Sequence, residues 1–500
     1  MKILALLALL AIGASPPPAA GADLTLTGSL TRADHETYRT LRFQVPPGVA
    51  RLTVTLAYTG RNEHATIDMG LFDPAGFRGW SGGNKANFTL AATDATPSYL
   101  AGPIRPGAWR LVLGVPNLRR GARADYAVSI TYGHGEPPAV SAFSEKPLRD
   151  APAWYRGDLH LHTAHSDGVC PSQGGAIVPC PVFKTLEAAA ARGLDFVVVS
   201  DHNTVAQDQD LRELQPWFDR LLLIGGEEVT TFHGHAGVIG AAGFVDFRLG
   251  SQAVPTVSAL LAGAARTHAL VVINHPALPS GEACMGCGWT AVDTDYSAVQ
   301  GVEVVNGGAL AFQGGLVAGP LSGIPFWEGR LNAGHRLTAV GGSDNHRPDT
   351  PADRPSAIGY PTTVVHADNL SERAVLAAIR AGHVFIDVEG SRDRVLEMTA
   401  TAGGASAAMG EVLSCAACMA RFVVHAAGVA GAQWRVIEDG HRLNKLDNVS
   451  IATSDQTATF ETVIERGLHW VRVEIRSVDD RRTLLIGNPI YFNLPVVKRS

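Results

Sequence analysis

The sequence predicts an α/β domain between two smaller β-domains. Short runs that alternate apolar and polar residues occupy both ends of the chain, and short, wholly apolar runs separated by helical stretches occupy the middle. Alternation is typical of half-buried strands, whereas continuous apolar runs are typical of strands buried on both faces. We expect a β-sandwich domain at 23–135, an α/β domain at 153–390 and a β-domain at 393–500.

The chain opens with a pattern typical of a secretory signal peptide. Lys2 precedes an apolar run from Ile3 to Ile12, and Ala20-Gly21-Ala22 fits the small-x-small rule for cleavage. We therefore expect residues 1–22 to be removed and the protein to be periplasmic or secreted. No later run approaches the roughly eighteen apolar residues of a membrane helix, so no membrane anchor is expected.

The N-terminal β-domain is predicted from regular short strands with turn residues between them. The segments 41–45 and 51–56 alternate in polarity, and Pro46-Pro47-Gly48 separates them. The same texture returns in the last hundred residues, for example at 420–424 and 470–475. Strands of this length and spacing favour a sandwich at the N-terminus and a second small β-domain at the C-terminus.

The middle block repeats a strand followed by a helix. The apolar runs are 196–199, 221–224, 270–273, 302–305 and 338–340. Helices are predicted at 184–192 before Gly193, at 256–268 behind a Thr256 cap, and at 371–381 before Gly382. Repeated β-α units predict a parallel sheet, which can form a barrel or a doubly wound fold.

The net charge limits the kinds of binding partner that we expect. The net charge of −6 is spread along the chain without a basic stripe, which argues against a nucleic-acid-binding surface and leaves a small-molecule substrate as the expected partner. The oligomeric state is not predicted.

The six cysteines form three local pairs, Cys170/Cys180, Cys284/Cys287 and Cys415/Cys418. In an exported chain we expect three disulfides; the alternative is a zinc site made from the two Cys-x-x-Cys pairs.

The segment Gly157–Gly168 has the spacing of a metal site. His160 and His162 are two residues apart and project from the same face of a strand. Asp167 follows at a Ser-Asp-Gly turn, which returns a carboxylate towards the two imidazoles. Imidazole and carboxylate together bind zinc, manganese and iron.

Further candidate ligands follow the ends of the apolar runs. The C-terminal ends of parallel strands lie at one edge of a sheet, where such folds place their active sites. A lone histidine at such a place is more often structural, but five strand ends with His, Asp or Glu favour one shared metal site. The residues in these positions are Asp201, His202, Glu227, Glu228, His233, His235, His275, Asp344 and His346.

These motifs resemble the PHP (polymerase and histidinol phosphatase) superfamily of metallohydrolases. The resemblance rests on DLHLHTAHSDG, VVSDHNT, GGEEVTT, GHAGVIG, INHP and GGSDNH in this order, and WEGRLNAGHRLTAVGGSDNH and NPIYF resemble the CehA/McbA branch. It implies a distorted seven-stranded β/α barrel and two or three divalent transition-metal ions, zinc, manganese or iron. The implied ligands are His160, His162, Asp167, His202, Glu228, His235, His275, Asp344 and His346.

The resemblance implies a hydrolase that uses a metal-activated water, with phosphomonoesters or phosphodiesters as the first expectation. Asp201 and His202 are the candidate groups for acid–base work. Arg330, Arg336 and Arg347 are the candidates for binding a phosphate. One alternative is a carbamate, ester or amide hydrolase of the CehA/McbA type, and another is an exported metal-binding protein without catalysis.

Overall fold

The structure is a computed structural model that describes most of the chain. It describes residues 17, 19 and 21–494 without 82, 84, 135–142, 145, 242, 282–283, 285, 416 and 447–448. The predicted signal peptide, 1–22, lies almost entirely outside the described residues and stays a prediction. The chain divides into two compact units, 1–137 and 138–500.

The first unit consists of two antiparallel sheets of four strands each. The strands are β1 (Leu24–Thr31), β2 (Tyr38–Val45), β3 (Val49–Tyr58), β4 (Thr66–Asp73), β5 (Gly76–Ser81), β6 (Asn87–Ala91), β7 (Gly107–Asn117) and β8 (Arg123–His134). One sheet has the order β1-β8-β3-β6 and the other β2-β7-β4-β5. Inward residues of both sheets, such as Leu52, Val54, Leu111 and Trp109, share one core. This is the layered arrangement that the alternating pattern predicts.

The second unit contains one long mixed sheet with helices beside it. The strands of this unit up to residue 390 are β9 (Ala153–Leu161), β10 (Val169–Pro171), β11 (Ile177–Pro179), β12 (Phe196–Val199), β13 (Leu222–Thr231), β14 (Gly234–Ile239), β15 (Leu270–Ile273), β16 (Gly301–Asn306), β17 (Thr338–Gly342), β18 (Thr362–Ala367) and β19 (Val384–Asp387). Of these, β10 and β11 form a separate two-stranded sheet. The helices are α1 (Val182–Ala191), α2 (Asp208–Leu214), α3 (Val257–Ala265), α4 (Gly307–Phe312), α5 (Ile324–Asn332) and α6 (Glu372–Ala381).

The order of strands in this sheet brings the candidate ligands to one edge. The path runs β17-β16-β15-β14-β13-β12-β9-β18-β19. Pairs β9–β12, β12–β13, β15–β16 and β16–β17 are parallel, whereas β14 is antiparallel to both neighbours. An isolated parallel bridge joins Leu161, at the end of β9, to Asn345, which follows β17. The fold is therefore mixed and sheet-rich, and the predicted distorted seven-stranded β/α barrel is not shown.

The predicted helix ends agree with the capping observed. The Thr256 side chain accepts from the Ala259 amide at 3.2 Å at the start of α3, and the Ser371 side chain caps α6 in the same way. Gly382 ends α6 with φ 81, a conformation that glycine adopts at little cost. The helix predicted at 184–192 is α1, which begins two residues earlier.

The C-terminal strands continue the same unit. They are β20 (Val395–Ala402), β21 (Ala405–Ala408), β22 (Val412–Leu413), β23 (Cys418–Ala427), β24 (Gln433–Glu438), β25 (His441–Leu443), β26 (Asp455–Ile464), β27 (His469–Arg476), β28 (Thr483–Gly487) and β29 (Ile490–Phe492). β28 pairs with β19 and so extends the long sheet, while β21-β20-β23-β26 form a second sheet. Phe385 and Ile475 belong to one core, so 393–500 shares its core with the preceding domain.

Each cysteine pair forms its own disulfide. The Cα–Cα distances are 4.9 Å for Cys170–Cys180, 5.7 Å for Cys284–Cys287 and 5.8 Å for Cys415–Cys418. All six thiols are therefore used, which confirms the local pairing and excludes the alternative zinc site. Among the described residues, no helix combines the length and the apolar character needed to cross a bilayer.

Candidate metal centre

Histidine and carboxylate side chains converge where the strands of the long sheet end. His160 lies in β9 and His162 directly follows it, while His202 follows β12 and is bridged to Glu228 of β13. The other groups come from β14 and from the turns after β15 and β17. The structure brings together the nine side chains that the motifs indicate: His160, His162, Asp167, His202, Glu228, His235, His275, Asp344 and His346.

Glu228 lies at the centre of this cluster. Its Oε1 is 3.2 Å from His160 Nε2, 3.3 Å from His235 Nδ1 and 3.1 Å from His275 Nε2. Its Oε2 is 2.8 Å from His202 Nδ1. The side chain is fully buried, and Asn274 Nδ2 also donates to Oε1 at 3.0 Å.

A second group of ligands lies beside the turn that follows β9. His346 Nε2 is 3.2 Å from Asp167 Oδ1, and His202 Nε2 is 3.9 Å from Asp167 Oδ2. Asp344 joins this group to the first, since its Oδ1 is 3.2 Å from His162 Nε2 and 3.4 Å from His160 Nε2. The cluster thus consists of neighbouring groups that share members.

The donor set fits divalent transition-metal ions. An ion that binds nitrogen or oxygen at about 2.1 Å in tetrahedral geometry holds its ligand atoms about 3.4 Å apart. Most of the ligand atoms here are separated by 3.1 to 3.5 Å. Buried carboxylates among imidazoles also need positive charge, because an isolated buried charge costs several kcal/mol. The residues could therefore hold divalent metal ions in adjacent groups, and Glu228 belongs to two of these groups.

Electrostatics within the cluster favour ionised carboxylates. Burial raises the pKa of Glu228, but the surrounding imidazoles, His160 first, outweigh this and hold it well below its usual value. Burial also opposes the charge on Asp167, yet its bond to His346 lowers its pKa to about 2. For His346, burial lowers the pKa and Asp167 raises it to about 9. Cations replace the protons of these imidazoles when they bind.

Glu303 supports the cluster from behind, and the sequence patterns did not indicate it. Its Oε1 is 3.2 Å from His160 Nδ1, and its Oε2 accepts from the His275 amide at 2.9 Å. Asn306 donates to the same Oε2 at 3.1 Å. His275 has φ 26, an unfavourable conformation for a non-glycine residue, so the bond to Glu303 helps to hold a strained ligand position. A carboxylate on the far nitrogen orients a metal-binding imidazole and increases its basicity.

Asp201 is fully buried beneath the turn that carries Asp167. Its Oδ1 accepts from the Thr163 amide at 2.7 Å and from the Ser166 hydroxyl at 2.6 Å, and its Oδ2 accepts from the Thr163 hydroxyl at 2.7 Å. The geometry gives Asp201 a positioning role. Its predicted part in proton transfer stays a prediction, as does that of His202, which faces the cavity.

The neighbouring candidates lie outside the cluster. The amide of Val245 donates to Glu227 at 2.8 Å on the opposite side of β13, and burial raises the pKa of Glu227 to about 8. The exposed His233 lies in the turn after β13. His165 pairs with Asp210 at 2.8 Å. Strand alternation explains why Glu228, and not Glu227, faces the imidazoles.

The three predicted phosphate-binding arginines contact other parts of the chain. Arg330 stacks on Tyr296 with 5.0 Å between the guanidinium carbon and the ring centre. Arg336 donates to the Ala381 carbonyl at 2.8 Å, and Arg347 lies 3.5 Å from Asp349. None of the three lines the cavity over the cluster. Their role in substrate binding stays a prediction.

A cavity of about 1060 Å³ opens above the cluster. Asp167, His202 and His346 contribute to its lining and are partly exposed, so these candidate ligands are reachable from the cavity. Among the described lining residues, Arg248 is the one with a permanent positive charge, and it also pairs with Asp246 at 2.6 Å. A small molecule in this cavity would therefore contact the groups of candidate ligands directly.

The comparisons with known proteins give weak structural likenesses. No protein-family model and no curated protein matches the sequence. A two-domain protein from Bacteroides vulgatus containing a predicted PHP-like metal-dependent phosphoesterase has 18% identity and a TM-score of 0.37, over 71% of this chain and 100% of that one. A candidate metal-dependent phosphoesterase from Bifidobacterium adolescentis has 16% identity and a TM-score of 0.31, over 44% of this chain and 96% of that one. Likenesses of this size do not decide what the chain does.

Proposed function

We propose that the chain is a metal-dependent hydrolase of phosphomonoesters or phosphodiesters, with two or three zinc, manganese or iron ions. The observation behind this proposal is Glu228, whose two oxygens are shared among histidines of neighbouring ligand groups. A carboxylate shared in this way holds cations side by side. Adjacent cations stabilise the attacking and leaving oxygens of a phosphoryl displacement.

The reaction is a hydrolysis. The oxygen of a water molecule bonds to phosphorus, the bond from phosphorus to the ester oxygen breaks, and the released alcohol takes a proton. Bound metal ions would supply an acidified water and positive charge at the phosphoryl oxygens. The chain's own residues hold the ligands in place: Glu303 orients His160, and Asp201 holds the turn of Asp167.

The test is a screen of metals against substrates with the full chain. Zinc, manganese and iron are each added to metal-free protein, and turnover is measured on p-nitrophenyl phosphate, bis-p-nitrophenyl phosphate, aryl carbamates and carboxylic esters. We expect metal-dependent release of p-nitrophenol from the phosphates. His160→Ala and Asp344→Ala should abolish it, because each removes a ligand from the shared group.

Glu227→Gln is the matched control, since Glu227 is buried next to Glu228 but points away from the cluster. It should retain turnover. Equal phosphatase rates with and without metal, or full activity in His160→Ala, would refute the proposal.

A carbamate, ester or amide hydrolase is the second candidate. The described cavity lining offers one fixed cation, Arg248, which already pairs with Asp246. A neutral scissile group would need no further cation. The same screen decides between the two, because turnover limited to carbamates or esters would favour the second candidate.

We also propose the family and the export that the sequence predicts. The six motifs support membership of the PHP superfamily, WEGRLNAGHRLTAVGGSDNH and NPIYF support its CehA/McbA branch, and the three disulfides support export. A metal-binding protein without catalysis is less favoured, because structural metal sites are closed, whereas these ligands line an open cavity.

A further inference from the structure

The cavity over the metal groups has a second, chemically different part. Its volume of about 1060 Å³ is far larger than metal ions and one ester group require. Apolar side chains line the cavity together with the candidate ligands. We call this set the apolar wall, and it consists of Phe232, Phe247, Leu249, Leu278, Phe312 and Leu321.

Two phenylalanines of the apolar wall are exposed to an unusual degree. Phe232 is 84% exposed and Phe312 is 82% exposed. A phenyl ring in water forgoes the stabilisation that burial would give, so neither ring contributes much to the stability of the fold. Contiguous exposed apolar surface in a cleft is typical of a ligand-binding surface.

The same elements position these rings and the metal ligands. Phe232 lies in the two-residue turn between β13 and β14, the strands that carry Glu228 and His235. Phe312 ends α4, which begins directly after β16, the strand of Glu303. The backbone of each ring is therefore anchored directly beside a strand that carries residues of the cluster.

The apolar wall offers contact area and little charge. Arg248 is the one described lining residue with a permanent positive charge, and Asp246 holds its guanidinium through two contacts of 2.8 and 2.6 Å. A polar or multiply charged group would lose hydration against this wall without gaining partners. An aromatic or branched apolar group would gain burial against several side chains at once.

We propose that the apolar wall is a subsite for an apolar, aromatic organic group of the substrate, whose ester bond lies at the metal groups. This inference rests on the proposed hydrolase function for the position of the scissile bond. It assigns specificity to Phe232 and Phe312, because these two rings are free to bury a substituent. Burying one ring-sized group corresponds to a preference of about tenfold to a hundredfold in kcat/KM.

The test compares two aryl phosphates whose leaving phenols have similar acidity, one with a 4-phenyl and one with a 4-(2-hydroxyethyl) substituent. We expect the metal-loaded, full-length protein to prefer the 4-phenyl substrate by about tenfold or more. The double variant Phe232→Ser/Phe312→Ser should reduce this ratio by about tenfold. Phe77→Ser is the matched control, since Phe77 is 52% exposed, lies on β5 and is not one of the residues that line the cavity.

A binding measurement separates the subsite from the catalytic proposal. Titration of 4-phenylphenol into metal-loaded protein, followed by calorimetry, requires no turnover. We expect at least about tenfold weaker binding to the double variant than to the wild type and to Phe77→Ser. Equal binding by all three proteins would overturn the subsite, whatever the screen of substrates shows. Weaker binding without any hydrolysis would retain the subsite and refute the hydrolase.

Discussion

At the scale of single residues, the cluster depends on side chains that do not themselves face the metal groups. Glu303 is the clearest case, because its two oxygens contact a ligand ring, a ligand backbone amide and Asn306. If His160 Nε2, which faces Glu228 and Asp344, binds a metal ion, the proton of the ring is on Nδ1, where Glu303 would accept it. Glu303 thereby fixes both the tautomer and the orientation of His160.

We predict that Glu303→Gln weakens metal binding by about tenfold to a hundredfold while the protein stays folded. The amide retains an acceptor for His160 but loses the charge that makes the imidazole a stronger ligand. The measurement is competition for zinc with a chromophoric chelator, together with the circular dichroism spectrum.

Glu227→Gln serves as the control for this comparison. It changes a buried glutamate whose pKa is already raised to about 8, so it removes little charge at neutral pH. Zinc affinity of Glu303→Gln equal to that of the wild type would show that Glu303 is a structural residue only.

At the scale of elements, the β10–β11 hairpin joins a disulfide to the site. The Val169 amide donates to the His346 carbonyl at 2.8 Å, and the Ala164 amide donates to the Cys180 carbonyl at 2.7 Å. The Cys170–Cys180 bond closes this hairpin directly after the turn of Asp167. The hairpin therefore connects the segments that hold Asp167 and His346, which lie 3.2 Å apart.

We predict that Cys170→Ser/Cys180→Ser loosens residues 163–180 and weakens the Asp167–His202–His346 group without unfolding the sheet. Loss of a short cross-link destabilises its loop by about 2–3 kcal/mol. Hydrogen exchange of this segment should accelerate, and the bound metal per chain should fall.

Cys415→Ser/Cys418→Ser is the control, because this pair joins β23 to the preceding turn in the C-terminal part of the unit. It should leave the metal content unchanged. Identical exchange rates in both double variants would contradict a link between the β10–β11 hairpin and the site.

At the scale of the whole molecule, the two units have separate cores. The first unit buries its own cluster of apolar side chains between two sheets. The second unit concentrates buried carboxylates and imidazoles at the end of its long sheet. Ions that bind only the folded state stabilise it, by about 2.7 kcal/mol at a hundredfold excess over the dissociation constant.

We predict that chelation of metal lowers the unfolding temperature of the second unit and leaves that of the first unchanged. Without cations, the buried carboxylates lose their compensating charge. Differential scanning calorimetry of the full chain with and without a chelator gives the two transitions. Adding zinc back should restore the unfolding temperature of the second unit. A chelator effect on both transitions, or on neither, would contradict this prediction.

Local sequence rules predicted much of the fold and the members of the site. Continuous apolar runs indicated β12, β13, β15, β16 and β17, the Thr256 cap indicated the start of α3, and Gly382 indicated the end of α6. These features depend on neighbours in the chain, so they can be read from it. The antiparallel insertion of β14 and the joining of β19 to β28 depend on distant segments, and the predicted distorted seven-stranded β/α barrel is not shown.

The sequence by itself determined which residue types meet at the strand ends, because spacing along a strand and the turn after it fix the side on which a side chain emerges. Tertiary structure alone decided which side chains support these ligands and which line the cavity over them. Glu303 looked like part of an apolar strand, although a carboxylate in such a run signals a buried partner. The arginines near the last motif pack elsewhere, and Phe232 and Phe312 reach the cavity from distant segments. Long-range packing sets these positions, and no local pattern encodes it.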